Sequence, residues 1–255
     1  MISVKNAFDT ALVTFCIFVL SIPVSGCRRS VPPDSNTSSA TPLQASEMKS
    51  DPEKNFWNWF QAHRDEYRSL NSKSAQEKER LLSEIHEHLR EYHHGLAYEI
   101  SEPLREGGNE FVVSADGDLE IFSHVRSLVA AAPQLPGWKV IAFRPAQGFT
   151  FVHKFDDVKL EASTLWFQPL VSKSNPGSLG LMMGVPDLKD EQKDAVVNSL
   201  WIVVETGIGE ERCAERIKYV DATKLPDNPD ASGFLPLAEL PDYLRWFEGK
   251  TQKKE

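Results

Sequence analysis

Four of the chain's seven histidines fall in one stretch, SEIHEHLREYHHG, residues 83–95. Imidazole nitrogens are common zinc ligands, so this density raises the question of a metal centre. Helical spacing answers it. With each residue turning the axis by about 100°, Leu81, Leu82, Ile85, Leu89 and Tyr92 share one apolar arc. His88 borders one edge of that arc, His86 and His93 border the other, and His94 points away. His86 and His88 lie about 160° apart around the axis, and His86 and His93 are about 10 Å apart along it. Zinc needs its nitrogens at about 2 Å. The i, i+4 partner of His86 is Arg90, and HEHLR ends in Arg where an HExxH motif has its second histidine. A metal here requires ligands from other segments, such as His63, His124 or His153. The stretch reads as a helix bordered by histidines, and no metal or other cofactor is expected.

Other chemistry-bearing residues meet similar limits. The chain has no GxSxG elbow. Ser46 and Lys49 match a Ser-x-x-Lys pattern, but in a polar segment with no apolar residues to build a pocket. The carboxylate pairs Asp116 and Asp118, Asp156 and Asp157, and Glu210 and Glu211 sit at turns or element ends, where capping and solubility explain them. TGIGEE, residues 206–211, is not a GxGxxG loop and reads as a tight connection after a helix. The remaining candidate is Trp138 with Arg144. On a strand, Trp138, Val140, Ala142 and Arg144 have equal parity and point together, away from Lys139, Ile141 and Phe143. An Arg ending an aromatic-bearing face is expected to bind an anion or a peptide carboxylate, unless a nearby Glu pairs with it.

The elements that must position these residues follow from periodicity. SDPEKNFWNWFQAHRDEY, residues 50–67, is a helix capped by Ser50 or Asp51, with Phe56, Trp59, Phe60, His63 and Tyr67 on one stripe and Trp57 off it, placed to meet a second neighbour. SAQE, residues 74–77, is a capping box that opens the second helix, with Gly95 as its C-cap. Then LAYEIS and NEFVVSA are strands joined by a hairpin, residues 119–132 are a helix, and GWKVIAFRP is an apolar strand. The order recurs: TLWFQPLVS and LGLMMGV around Asn175, Pro176 and Gly177, a helix over 190–207, and CAERIKYVDA as a strand. Leu96, Tyr98, Gly108 and Asp118 align without gaps to Leu165, Phe167, Gly177 and Asp187. FTFVHKF, residues 149–155, adds an edge strand, and residues 236–249 a last helix. The expected fold is α+β: one mixed, largely antiparallel sheet with helices packed on it, built from a duplicated ββαβ unit.

Composition sets the context. The chain has 255 residues, 41% hydrophobic and 25% charged, with a formal charge of −9. That length and balance suit a globular domain, and the acidity argues against nucleic acid, whose phosphates demand a basic face. Residues 11–26, ALVTFCIFVLSIPVSG, form an apolar run ended by small residues and followed by Cys27. The run is short of the roughly 20 apolar residues that span a bilayer, and it has the n-region and h-region order of a secretory signal. The junction Val24, Ser25, Gly26, Cys27 resembles the bacterial lipobox. That resemblance implies cleavage before Cys27 and a lipid on its sulfur. Residues 27–50 are polar and rich in Ser, Thr and Pro, which predicts a flexible tether. Of the three cysteines, Cys16 lies within the signal and Cys27 would carry lipid. Cys213 alone remains, so the mature chain has no intramolecular disulfide, and a buried apolar filler is its expected role. The expected divisions are a signal over 1–26, a tether over 27–50, one α/β domain over 51–249 and a frayed tail over 250–255.

FWNWF, residues 56–60, with LVAAAPQLPGWKVIAFRP, residues 128–145, and TGIGEE resembles a bacterial domain family of unknown function. The resemblance spans most of residues 56–247. It implies a compact α/β domain and no assigned activity. Together these readings point to a membrane-tethered envelope lipoprotein, in the cell membrane or outer membrane, that binds a protein or peptide partner. The alternative is an envelope hydrolase with a site scattered in sequence. A third reading makes Trp57 and Trp59 an assembly surface.

Overall fold

The computed structural model describes residues 51–172 and 177–251. The lipobox, the tether, Ser46 and Lys49, the turn residues Asn175 and Pro176, and the last four residues lie outside them. No helix among the described residues is long and apolar enough to cross a membrane.

The first half opens with two helices. Asp51 caps α1, Pro52–Tyr67, by accepting from the Lys54 N–H at 3.3 Å, with Pro52 in the first turn. Ser74 caps α2, Ala75–Tyr92, by accepting from the Glu77 N–H. The helix stops at Tyr92 because His93 is extended, at φ −157°. Gly95 is therefore not a left-handed C-cap as expected. It admits a close approach instead: a Cβ there would meet Ile121 at 3.0 Å. Strand β1, Ala97–Ile100, pairs antiparallel with β2, Asn109–Ser114. A turn of 3-10 helix, Leu119–Ile121, leads into α3, Phe122–Ala130, and β3, Trp138–Ala142, returns parallel to β2.

Between the halves lies a hairpin of β4, Val152–Phe155, and β5, Val158–Glu161. The second half then repeats the first. Strand β6, Trp166–Val171, pairs antiparallel with β7, Leu179–Val185. A 3-10 turn, Asp190–Gln192, leads into α4, Lys193–Ile208. A short helix α5, Glu210–Arg216, follows, and β8, Ile217–Lys224, returns parallel to β7. The two-residue β9, Leu235–Pro236, covers the start of β6, and α6 runs Leu240–Thr251.

The fold class is α+β, with antiparallel pairings outnumbering parallel ones. The strands fall into three sheets rather than one: β1-β2-β3, β4-β5 and β8-β7-β6-β9. Both halves share the order hairpin, helix, parallel strand. The gap-free correspondence slips, however. Asp116 is left-handed at φ 47°, and its counterpart in the second half is Asp187 at φ 53°, not Val185. Residues CAER of the expected last strand are helical, because they belong to α5.

Each half has its own core. In the first, Phe56, Trp57, Phe60, Tyr67, Leu81, Ile85, Leu89, Phe111, Val113 and Leu128 are buried together. In the second, α4 and α6 cover β6 and β7 through Phe167, Leu181, Met183, Leu200, Val203 and Leu244. Burying each such side chain contributes about 1.5–3 kcal/mol. Trp57, set off the expected stripe, meets its second neighbour in α3. It is 1% exposed, and its indole N–H donates to the Leu128 carbonyl at 2.7 Å. It ties α1 to α3, so it offers no assembly surface; Trp59 is the half-buried one, packed on His88 with ring centroids 4.0 Å apart.

Candidate functional site: an arginine among carboxylates at a groove

The two halves meet through polar groups, and Arg144 is at their centre. The expected parity of β3 fails one residue before it. The strand ends at Ala142, and Phe143 adopts φ 63°. A non-glycine residue rarely holds that conformation unless its surroundings fix it. Here they do. The Phe143 ring is buried against Phe122 with centroids 4.4 Å apart, and the Phe143 N–H donates to the Val113 carbonyl at 2.8 Å. The left-handed step turns Phe143 into the first core and swings Arg144 out of the strand's alternation. Trp138 and Arg144 therefore do not form one face. Trp138 sits in the first core, edge-on to Phe60 at 5.2 Å, at the far end of the strand. Its indole nitrogen is buried without a hydrogen-bond partner.

The Arg144 guanidinium is shared among carboxylates from three elements. Its Nε contacts Glu99 of β1, Nη2 contacts Asp116 at 2.6 Å, and Nη1 contacts Glu205 of α4 at 3.3 Å. Burial works to lower the Arg144 pKa, but Glu99 and Asp116 outweigh it, so the net shift is upward and the charge is permanent. The Arg is thus paired with carboxylates rather than open to an anion.

The backbone beside it is held by Glu210, which is wholly buried. Its Oε1 accepts from the Ala115 N–H at 2.8 Å and the Gly117 N–H at 3.2 Å, and its Oε2 from the Arg144 N–H at 3.0 Å. In return, the Glu210 N–H donates to the Arg144 carbonyl at 3.0 Å. One carboxylate so clasps the first half's Ala115–Gly117 turn and the Arg144 loop to the second half. The TGIGEE segment makes this geometry. Gly209, at φ 87°, ends α4 and starts α5, placing Glu210 at a helix N-terminus, where a carboxylate is favoured. Gly207 lets the Phe149 ring lie against α4, since a Cβ there would fall inside that ring. The loop after Arg144 is stitched to the same segment by Gln147 N–H to Thr206 carbonyl at 2.9 Å and Gly148 N–H to Gly207 carbonyl at 3.1 Å.

This junction borders a groove of about 510 Å³ lined by Asp116, Asp118, Leu119, Trp201, Glu205 and Lys218, among others. Asp118 also caps the 3-10 turn by accepting from the Glu120 N–H at 3.0 Å. The Glu205 pKa is raised: burial dominates, Arg144 works against it, and Glu210 adds to it. Cys213 reaches the inner wall but is buried, and burial pushes its thiol up to about 12, which keeps it protonated and unreactive.

Sequence reasoning therefore singled out Arg144, put Trp138 on its face where the structure does not, assigned Glu210 to capping, and did not bring Glu99 or Glu205 to it. A signal for Glu210 was present. Val196, Leu200, Val203, Gly207 and Glu210 step by four, three, four and three residues, so the carboxylate continues the buried stripe of α4. No group of three or more His, Cys, Asp or Glu side chains among the described residues is placed to hold a metal ion.

Two of the segments that suggested a family resemblance, residues 128–145 and TGIGEE, are joined here by the Arg144–Glu210 clasp, while FWNWF supplies the first core. No protein-family model, curated protein or solved structure matches the chain.

Proposed function

We propose that this chain is a bacterial envelope lipoprotein, anchored to the cell membrane or outer membrane through Cys27, whose folded unit is a binding module. We propose further that the groove beside Arg144 takes a small organic cation, such as an amine or guanidinium on a peptide. The observation that carries the binding reading is the charge of the groove. Asp116, Asp118 and Glu205 line it, Glu99 stands behind them on Arg144, and these carboxylates outnumber the two cations Arg144 and Lys218. A ligand cation would gain charge-assisted hydrogen bonds there, and Trp201 with Leu119 would cover its aliphatic body. This reverses the expectation of an anion at Arg144. The anchor reading is supported by the apolar run and the Val24, Ser25, Gly26, Cys27 junction, and membership of the uncharacterised bacterial domain family by the three segments named above.

A second reading has one observation in its favour. Glu205 has a raised pKa, and it shares Arg144 with Asp116, whose side chain is 63% exposed. Carboxylates in contrasting environments are the arrangement by which hydrolases obtain an acid and a base together. An envelope hydrolase using Glu205 is therefore the alternative.

Two experiments test these readings. Labelled palmitate should be taken up by the wild type and not by Cys27→Ala; label retained in that variant would overturn the anchor. In a thermal-shift panel, lysine amide, arginine amide and 1,5-diaminopentane should raise the melting temperature, and acetate and neutral amides should not. Glu205→Gln with Asp118→Asn should remove the response. A response to anions alone would overturn the cation reading. Turnover of model esters or amides that Glu205→Gln abolishes would favour the hydrolase.

A further inference from the structure

The histidine-rich stretch ends in an arrangement that shares only Asp118 with the groove. His93 closes the connection between α2 and β1 with three hydrogen bonds. Its N–H donates to the Leu89 carbonyl at 2.9 Å, its carbonyl accepts from the Leu96 N–H at 3.2 Å, and its ring Nδ1 accepts from the Gly95 N–H at 3.2 Å. Because Nδ1 accepts, the neutral ring must carry its proton on Nε2. That ring lies over His124 of α3, with centroids 4.2 Å apart and planes at 31°, and beside His94 at 4.9 Å and 18°. The Nδ1 of His124 is buried with no hydrogen-bond partner. Rings stacked in this way turn their faces to one another, so their in-plane lone pairs do not converge on one ion.

We infer that the His93–His124 stack is an acid-released latch, which holds the α2–β1 turn against α3 while the His93 ring is neutral and lets go when His93 takes a proton. A proton on Nδ1 would set two N–H donors against each other at Gly95 and place a cation against the His124 ring. The groups facing His93 are His94 beside it in the chain, His124 on α3 and Asp118 in the turn before α3. Behind them, the Tyr92 hydroxyl contacts both Glu53 of α1, at 3.2 Å, and the His124 carbonyl, at 3.1 Å. Burial opposes protonation of His93 most strongly, then His124 and His94, whereas Asp118 favours it. The carboxyl end of α2 also favours a cation. The net shift is downward from 6.5. The sign follows: the unfolded chain takes the proton first, so the latch contributes fully above pH 6.5 and loses its contribution as the pH falls from there toward the lower folded value.

The test is a histidine titration of the detergent-solubilised full chain, with imidazole carbons labelled, from pH 8 to pH 5. His93→Asn assigns the His93 signal. The latch requires a His93 midpoint below 6.5, the Nε2–H tautomer at pH 8, and Gly95 and Leu96 amide signals that shift with the same midpoint. A His93 midpoint at or above 6.5, or amides that ignore it, would overturn the inference. His124→Phe keeps a stacked ring and removes the imidazole. The His93 midpoint should then rise, and the drop in melting temperature between pH 7 and pH 5.5 should be smaller than in the wild type. Equal drops in the two proteins would also overturn the latch, whether or not His93→Asn folds.

Discussion

Replacing Glu210 by Ala should be among the costliest single changes outside the two apolar cores. The substitution leaves the Ala115, Gly117 and Arg144 N–H groups without their carboxylate. A hydrogen bond to a charged acceptor contributes about 1.5–3 kcal/mol, and an orphaned buried donor costs about 1–3 kcal/mol. The three losses are unequal. Ala115 is 1% exposed and its amide cannot reach water, whereas Gly117 and Arg144 are half-buried and can partly rehydrate. One full loss and two partial ones give about 3–5 kcal/mol in all. In a folded unit of this size each kcal/mol lowers the melting temperature by about 2–4 °C, so the fall should be roughly 6–20 °C. Glu210→Gln keeps the shape but turns one oxygen into a donor, leaving at least one N–H unpaired, at about 1–3 kcal/mol. Urea unfolding followed by tryptophan fluorescence, with calorimetry in parallel, measures both variants. A loss below about 1 kcal/mol for Glu210→Ala, or equal losses for the two variants, would refute the idea that this carboxylate clasps the halves together.

Other consequences are open to direct test. Gly207→Ala should destabilise by several kcal/mol, about 1–3 or more for a side chain forced into filled space, and combining it with Phe149→Ala should recover part of that loss in a double-mutant cycle. Arg144→Lys should behave almost as badly as Arg144→Ala, because one ammonium cannot reproduce a planar fork that meets Glu99, Asp116 and Glu205 in different directions; full stability in the lysine variant would contradict this. Glu205 holds its proton more tightly when folded than its ordinary value of 4.5 implies. Its stabilisation is therefore present below that pH and lost as the pH rises through the higher folded value, so Glu205→Gln should show a smaller loss of stability between pH 4 and pH 7. Cys213 should react with a disulfide reagent at pH 8 only after unfolding, since it is both buried and held as a thiol; rapid labelling of the native chain would show that the wall of the groove opens.

The legible and illegible parts of this protein differ in a physical way. Elements with a clear period were readable: α1 and α2 from their caps and stripes, β2 and β7 from their apolar runs, and the repeated order of hairpin, helix and parallel strand. Two kinds of feature were not. Backbone exceptions such as Phe143 at φ 63° have no local signature, because a buried phenylalanine adopts that conformation only where Val113, Phe122 and Glu210 hold it. Partners far apart in sequence were equally hidden, as with Glu99, Asp116 and Glu205 converging on Arg144. The gathering of strands into three sheets was missed for a related reason, since periodicity gives each strand's faces but not which strand lies beside it. Trp57 was legible in part: its place off the α1 stripe pointed to a second neighbour, which is α3, but not to its full burial, because packing against both α2 and α3 requires a wider apolar arc.

The most direct test of the proposed function is to map where a cationic ligand lands. Lysine amide would be titrated into the nitrogen-labelled protein while the Trp201 indole and Gly117 amide signals are followed. The account predicts saturable shifts at both, weakened by salt and abolished by Glu205→Gln with Asp118→Asn. Shifts confined instead to the open sheet face around Leu170, Val171 and Tyr219, or unchanged in that double variant, would contradict it.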